Sequence, residues 1–173
     1  EVKSFAGNSE ALTFTLSGIS KILGLPQMKL SWIVVSGPKE SAEEACRRLE
    51  VIADAYLSVN TPVQNALPEW LSGREAVISE ILLRVQDNYA SLLKMARAHS
   101  GIEVLKSEGG WYAVLRMRGI SDEEFCLQLL KEENILAHPG YLFDLEEENY
   151  AVISLLLPEE EFARGIKGLL TVA

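Results

Sequence analysis

In the first part of the chain the apolar residues come in short runs rather than at helical spacing. Residues 11–16 and 30–36 therefore read as β-strands. The second run, through Trp32-Ile33-Val34-Val35, is the near-continuous kind found in strands buried on both faces of an α/β sheet. Gly37-Pro38 ends it, and the period then becomes helical. Ser41 is the expected cap of a helix running to about Tyr56, with Glu43 and Glu44 in its first turn and Ala45, Leu49, Ile52 and Ala53 on one face. Asn60-Thr61-Pro62 breaks the pattern before a short helix over residues 62–71. From Arg74 or Glu75 to about Ala98, the residues Val77, Ile78, Ile81, Leu82, Val85, Tyr89, Leu92, Leu93 and Ala96 mark one long amphipathic helix. Gly101 is the expected left-handed end of that helix.

Beyond it the spacing predicts strands over 102–105 and 111–117. Ser121-Asp122-Glu123-Glu124 opens a helix by the capping-box pattern, and that helix ends near Glu133. Further strands are expected over 135–137 and 150–157, then a last helix from Pro158 to near Leu170. The pattern divides the chain at Ser72-Gly73. Residues 1–73 read as the remnant of a large α/β domain, because two doubly buried strands need sheet neighbours that this segment lacks. Residues 74–173 read as a small α+β domain with enough alternating apolar positions for a core of its own.

Composition narrows the partners more than the fold. Of 173 residues, 48% are hydrophobic and 24% charged, which is ordinary for a globular protein. The net charge of −9, with no basic stripe, argues against a nucleic-acid partner. The apolar stretch from Leu12 to Val35 is interrupted by Lys21, Pro26, Gln27 and Lys29, so it predicts no membrane span. Cys46 and Cys126 have no metal-ligand spacing and are expected as buried or half-buried thiols of a cytoplasmic protein. Only His99 and His138 are present, so no metal site is expected.

The candidate chemistry lies in Ser17-Gly18-Ile19-Ser20-Lys21-Ile22-Leu23-Gly24-Leu25-Pro26-Gln27-Met28-Lys29. Lys21 follows a strand and is flanked by small residues that let a ligand approach the backbone. An amine held at the end of a buried strand loses hydration, which favours the neutral nucleophile that Schiff-base chemistry needs. Lys29, eight positions on, is a cation suited to a phosphate.

At these residues the chain resembles the cofactor-lysine segment of the class I/II aminotransferases, the fold-type I enzymes that depend on pyridoxal 5'-phosphate. Ser20-Lys21, Gly24-Leu25-Pro26 and Lys29 carry the likeness. Three later segments follow in the family's order: Gly109-Gly110-Trp111-Tyr112, Asn134 to Phe143 with its Pro139-Gly140 step, and Ile153-Ser154-Leu155 followed by Pro158-Glu159-Glu160-Glu161-Phe162. The chain is less than half the length of a family member, so it reads as the C-terminal portion, with little activity by itself. The resemblance implies Lys21 as the catalytic lysine that holds the cofactor. It implies Lys29 at the phosphate, with Ser20 or Ser17 as a further contact. It also implies amino acids and 2-oxo acids as substrates, and a homodimer.

There are departures from the family pattern. Gly18 stands where many members carry a phosphate-binding Ser, and Lys29 where Arg is usual. The Arg that usually binds the substrate carboxylate falls on Val152, so the substrate-binding residue is unassigned. That absence supports a second reading, a non-catalytic aminotransferase-like sensor domain of a transcriptional regulator. A lyase or decarboxylase on the same fold is a third. His138, Trp111, Tyr112, Tyr141 and Phe143 read as structural or core residues, with a place in the wall of the substrate site as the alternative, and Asp144, Glu146, Glu147 and Glu148 as a solvated loop. Gln64-Asn65-Ala66 resembles a helix near the family's dimer interface.

Overall fold

The computed structural model describes residues 3–172. Glu1, Val2 and Ala173, which end the two expected segments, lie outside the described residues. The chain forms two compact units that divide between Ser79 and Glu80. Ser72-Gly73, the division read from the sequence, lies at the junction of two helices, just before the long helix that begins at Arg74.

In the first unit, β1 (Thr13–Gly18) and β2 (Ser31–Ser36) pair antiparallel, from Thr13↔Ser36 to Gly18↔Ser31. The connection between them holds the one-turn helix α1 (Ile19–Ile22) and a 3-10 turn, Pro26–Met28. Helices α2 (Lys39–Asp54) and α3 (Thr61–Ser72) follow. Ser41 is not the cap of α2. Proline's fixed φ at Pro38 already suits the helix entry, and Ala42 N–H closes the first turn on the Pro38 carbonyl at 3.0 Å. Asn60 caps α3, its side chain accepting from Val63 N–H at 3.0 Å.

The core of this unit is small: Ile19, Leu23, Leu30 and Val63 are buried, with Trp32, Leu67 and Trp70 packed around them. The strands are not buried on both faces. Phe14, Leu16 and Ile33 are 44%, 75% and 46% exposed, because a two-stranded ribbon has too few neighbours to cover them. Cys46 is exposed, contrary to expectation, since the apolar side of α2 is turned elsewhere.

The second unit is built on an antiparallel sheet of order β3-β4-β6-β5, with β3 Ile102–Val104, β4 Tyr112–Met117, β5 His138–Pro139 and β6 Tyr150–Ser154. Alternation along β4 turns Ala113, Leu115 and Met117 inward. They meet Leu92 of α4 (Arg74–Ala96), Phe125 and Leu129 of α5 (Asp122–Glu133), and Phe162, Ile166 and Leu169 of α6 (Glu159–Val172). Ser121 caps α5 as expected, accepting from Glu124 N–H at 3.3 Å. Gly101 is not left-handed. The end of α4 closes through His99 N–H on the Ala96 carbonyl at 2.9 Å.

β1 lies two residues later than expected, and in the second unit two strands differ clearly from their expected limits. β5 begins at His138, opposite Val152, because Asn134 in the left-handed region (φ 56°) turns the chain before the ladder can start. β6 stops at Ser154 rather than 157. The fully buried Asn88 donates its Nδ2 to the Leu155 carbonyl at 2.9 Å and the Leu157 carbonyl at 2.8 Å, capturing groups that would have continued the ladder. Among the described residues no helix is long and apolar enough to cross a membrane.

Asn88→Ala removes both of these bonds and leaves two carbonyls without their donor. The expected loss is about 2–4 kcal/mol of unfolding free energy, read by urea denaturation. A loss below about 0.5 kcal/mol would show that the two carbonyls find other donors.

Candidate functional site

Along β1 the hydroxyl residues Thr13, Thr15 and Ser17 alternate with Phe14 and Leu16, so one face of the ribbon is polar and the other apolar. At the end of this strand the chain turns into α1. Ile19 holds the turn in place: it is fully buried, and its N–H donates to the Leu30 carbonyl at 3.1 Å. Ile19, Ile22 and Leu23 face the core at helical spacing, which turns Lys21 outward.

The return path starts at the 3-10 turn, where Met28 N–H bonds the Leu25 carbonyl at 3.3 Å. It ends at Lys29, held left-handed at φ 52°, ψ 44°. For a residue with a Cβ this conformation costs about 1–2 kcal/mol. The next residue, Leu30, is back in the core.

The structure thus places Ser17 on β1, Ser20 and Lys21 on α1, and Lys29 at the end of the 3-10 turn. All four belong to one segment whose ends are tied by the strand ladder and the Ile19–Leu30 bond. Ser17 and Ser20 are half-buried; Lys21 and Lys29 are exposed. The burial expected for Lys21 is not provided by this unit, because a ribbon of two strands leaves the outward side of α1 in solvent. Among the described residues Lys29 makes no ion pair, so its charge is available to an anion.

These donors suit pyridoxal phosphate. They comprise a primary amine, a separate cation and two hydroxyls, arranged about a corner at Gly18. A Cβ there would lie 2.9 Å from the Leu30 carbonyl oxygen, so no side chain fits without a shift of the backbone. The close approach at Gly18 and the Ile19–Leu30 bond had no counterpart in the hydrophobic pattern. The glycine between Ser17 and Ile19 was their only trace in the sequence.

In the second unit Val152 is buried on β6, paired with Val114 on β4 and His138 on β5. The cation of this sheet, passed over by sequence reasoning, is Arg116. It hydrogen-bonds the Tyr150 hydroxyl through Nε at 3.1 Å and also through its terminal amine. Glu147 and Glu103 lie 3.6 and 3.8 Å away. The Tyr150 hydrogen bond, helped by these carboxylates, raises the guanidinium further above its ordinary value.

His138 is exposed and meets the Phe143 ring edge-on at 6.2 Å. Tyr112, Tyr141 and Phe143 are exposed rather than core: Tyr112 takes the outward position in the alternation of β4, and Tyr141 and Phe143 lie on the turn at 140–143 beside the edge strand. Asp122 fixes that turn, its Oδ2 accepting from Tyr141 N–H at 3.1 Å. Burial, with the charge of Asp122, pushes the Cys126 thiol up to about 11, which removes it as a nucleophile near neutral pH. Among the described residues no cluster of His, Cys, Asp or Glu could hold a metal ion.

Comparison with known proteins bears on the whole segment. The sequence pattern described as "Aminotransferase class I and II" matches residues 3–169. The glutamate-pyruvate aminotransferase AlaA of Haemophilus influenzae is 27% identical over 155 residues, covering 84% of this chain and 38% of that protein. The alanine aminotransferase of Mycobacterium bovis is 25% identical over 167 residues, covering 92% and 39%. Among solved structures, an alanine aminotransferase from Pyrococcus furiosus superposes with a TM-score of 0.84 at 20% identity, covering 94% of this chain and 42% of that one. An aminotransferase from Escherichia coli gives 0.82 at 23%, again covering 94% and 42%. The chain therefore spans about two-fifths of the length of the relatives it matches. Its fold is that of the corresponding part of the fold-type I enzymes, and the chain belongs to the class I and II aminotransferase family.

Proposed function

We propose that this chain carries the cofactor-lysine segment and the C-terminal small domain of an aminotransferase that moves an amino group between an amino acid and a 2-oxo acid. The observation that carries this reading is the Lys21–Lys29 segment, an amine and a second cation in one tied loop. The named relatives are aminotransferases, which favours transfer over the sensor, lyase and decarboxylase readings.

Pyridoxal phosphate, when bound, supplies an aldehyde for attachment and a ring that takes up electrons. Lys21 Nζ would hold that aldehyde. Displaced by the substrate amine, it would be free to take the proton from the substrate Cα as a base and to give it back as an acid. Lys29 holds the phosphate as a point charge rather than a bidentate fork. The Ser20 or Ser17 hydroxyl adds a donor beside it. The substrate carboxylate has no guanidinium at Val152, so its contact lies at another residue. The domain limits remain those of the sequence pattern, 1–73 and 74–173. The net charge of −9 suits a cytoplasmic protein without a nucleic-acid partner.

An absorbance scan of the full-length enzyme with pyridoxal phosphate and a panel of amino acids tests the class directly: a cofactor band lost on adding one amino acid identifies the donor. In the full-length enzyme, Lys21→Ala is expected to abolish the borohydride-trapped adduct with pyridoxal phosphate. A full-stoichiometry adduct in that variant would sink the assignment.

Lys29→Ala is expected to weaken cofactor affinity more than it slows transfer. One charge-assisted contact is worth about 1.5–3 kcal/mol, on the order of ten- to a hundredfold in affinity. Unchanged affinity would make Lys29 a surface charge.

A homodimer is part of the same reading. The uncovered apolar face of β1 and β2, with free strand edges, favours self-association. Light scattering at micromolar concentration is expected to show a dimer or larger for this chain, and a smaller species for a version starting near Ser72. A strictly monomeric long form would refute it.

A further inference from the structure

Gly18 stands opposite Ser31 in the last pair of the β1–β2 ladder. Its backbone is extended (φ 179°, ψ 165°), so the glycine is not there for its conformation. It is there for space. A Cβ would lie 2.9 Å from the Leu30 oxygen, 3.0 Å from Ser31 Cβ and 3.1 Å from Ser31 Cα. Two of these three atoms are backbone, which cannot swing aside as a flexible side chain can.

The Leu30 oxygen is also the acceptor of the Ile19 N–H, and Ile19 and Leu30 share the core with Leu23 and Val63. A side chain at 18 must therefore push the start of β2 away from the start of α1. Leu30 and Ser31 follow directly after Lys29, and Ile19 comes two residues before Lys21. The displacement therefore falls on the segment that carries the two lysines.

We propose that Gly18 is a positioning residue: by lacking a side chain it sets the spacing between the turn carrying Lys21 and the strand that begins after Lys29. It thereby sets the preference of the site for a phosphorylated over an unphosphorylated pyridoxal. This rests on reading Lys21 and Lys29 as the amine and phosphate contacts. It has a consequence opposite in sign to simple donor counting. Gly18→Ser adds a hydroxyl beside the site, yet it lowers affinity for pyridoxal phosphate, because the Cβ that carries the hydroxyl does not fit.

The test compares pyridoxal phosphate with pyridoxal, each trapped on the protein by borohydride and counted by mass spectrometry across a concentration series. The wild type is expected to prefer the phosphate by about ten- to a hundredfold, the range of one charge-assisted contact. Gly18→Ala and Gly18→Ser are expected to cut that preference to a few-fold or less, while trapping of pyridoxal on Lys21 stays within about twofold of wild type. Gly18→Ala in a Lys29→Ala background is expected to cut it no further, since both changes remove the same contact.

A merely structural role would lower trapping of both aldehydes alike and leave their ratio unmoved; that result overturns the proposal. Tighter binding of pyridoxal phosphate by Gly18→Ser overturns it as well. Should the position-18 variants fail to fold by circular dichroism, Ser31→Val crowds the same contact from the facing strand, and an unchanged ratio in that variant is equally fatal. Wild type that traps neither aldehyde refutes the assignment of Lys21 itself. A wild type with the expected preference, retained in folded Gly18→Ala, leaves that assignment standing and refutes only the role of Gly18.

Discussion

One backbone hydrogen bond, from Ile19 N–H to the Leu30 carbonyl, closes the segment on which the proposed chemistry depends. By itself such a bond contributes only about 0.5–1.5 kcal/mol. Here it is sheltered by the side chains of the two residues that make it, both buried in the same cluster with Leu23 and Val63. Burial raises the cost of breaking it, because neither group could then reach water easily. The bond continues the β1–β2 ladder one step past Gly18 and Ser31, so α1 is an extension of the ribbon rather than a loose excursion. With α1 anchored on its inner face, Ser20 and Lys21 are left on the outer one. With Leu30 anchored, Lys29 must complete its turn in the left-handed region before the strand begins.

The second unit obeys a similar economy with different groups. Its sheet is short, and its strands end where polar side chains remove carbonyls or amides from the ladder. Asn88 does this at Leu155 and Leu157, and the same bonds fix the approach to α6. Asp122 does it for the turn after β5 by accepting from Tyr141. Arg116 draws β3, β4 and β6 together through Glu103, Tyr150 and Glu147. Because its charge is already matched by two carboxylates, this guanidinium is a poor stand-in for a cation absent at Val152. The sheet is thus held by polar contacts at its margins and by a continuous apolar layer beneath it.

Uneven burial separates the two units. The second unit encloses Phe125, Leu115, Leu129 and Leu169 almost completely. In the first, only a handful of residues close around Ile19, and the ribbon shows apolar side chains to solvent. The ribbon has only two strands, and the chain spans about two-fifths of its relatives' length.

The sequence alone determined much of what depends on local chemistry, though not the caps expected at Ser41 and Gly101. Helix period placed α4, α5 and α6 within a turn of their observed limits, since an amphipathic stripe must face a core wherever that core lies. The capping hydroxyl of Ser121 was legible because its partner is three residues away. The family likeness at Ser20-Lys21, Gly24-Leu25-Pro26 and Lys29 was legible because each motif is contiguous. Only the tertiary structure decided the rest. The end of β6 at Ser154 is set by Asn88, far back in the chain. The exposure of Lys21, Cys46 and the β1–β2 faces is set by how many strands stand beside them. The need for a bare backbone at Gly18 is set by a carbonyl twelve positions on, which comes near only when the ladder has formed. Periodicity reports which face of an element is apolar; it carries no record of which distant atom will come to lie against it.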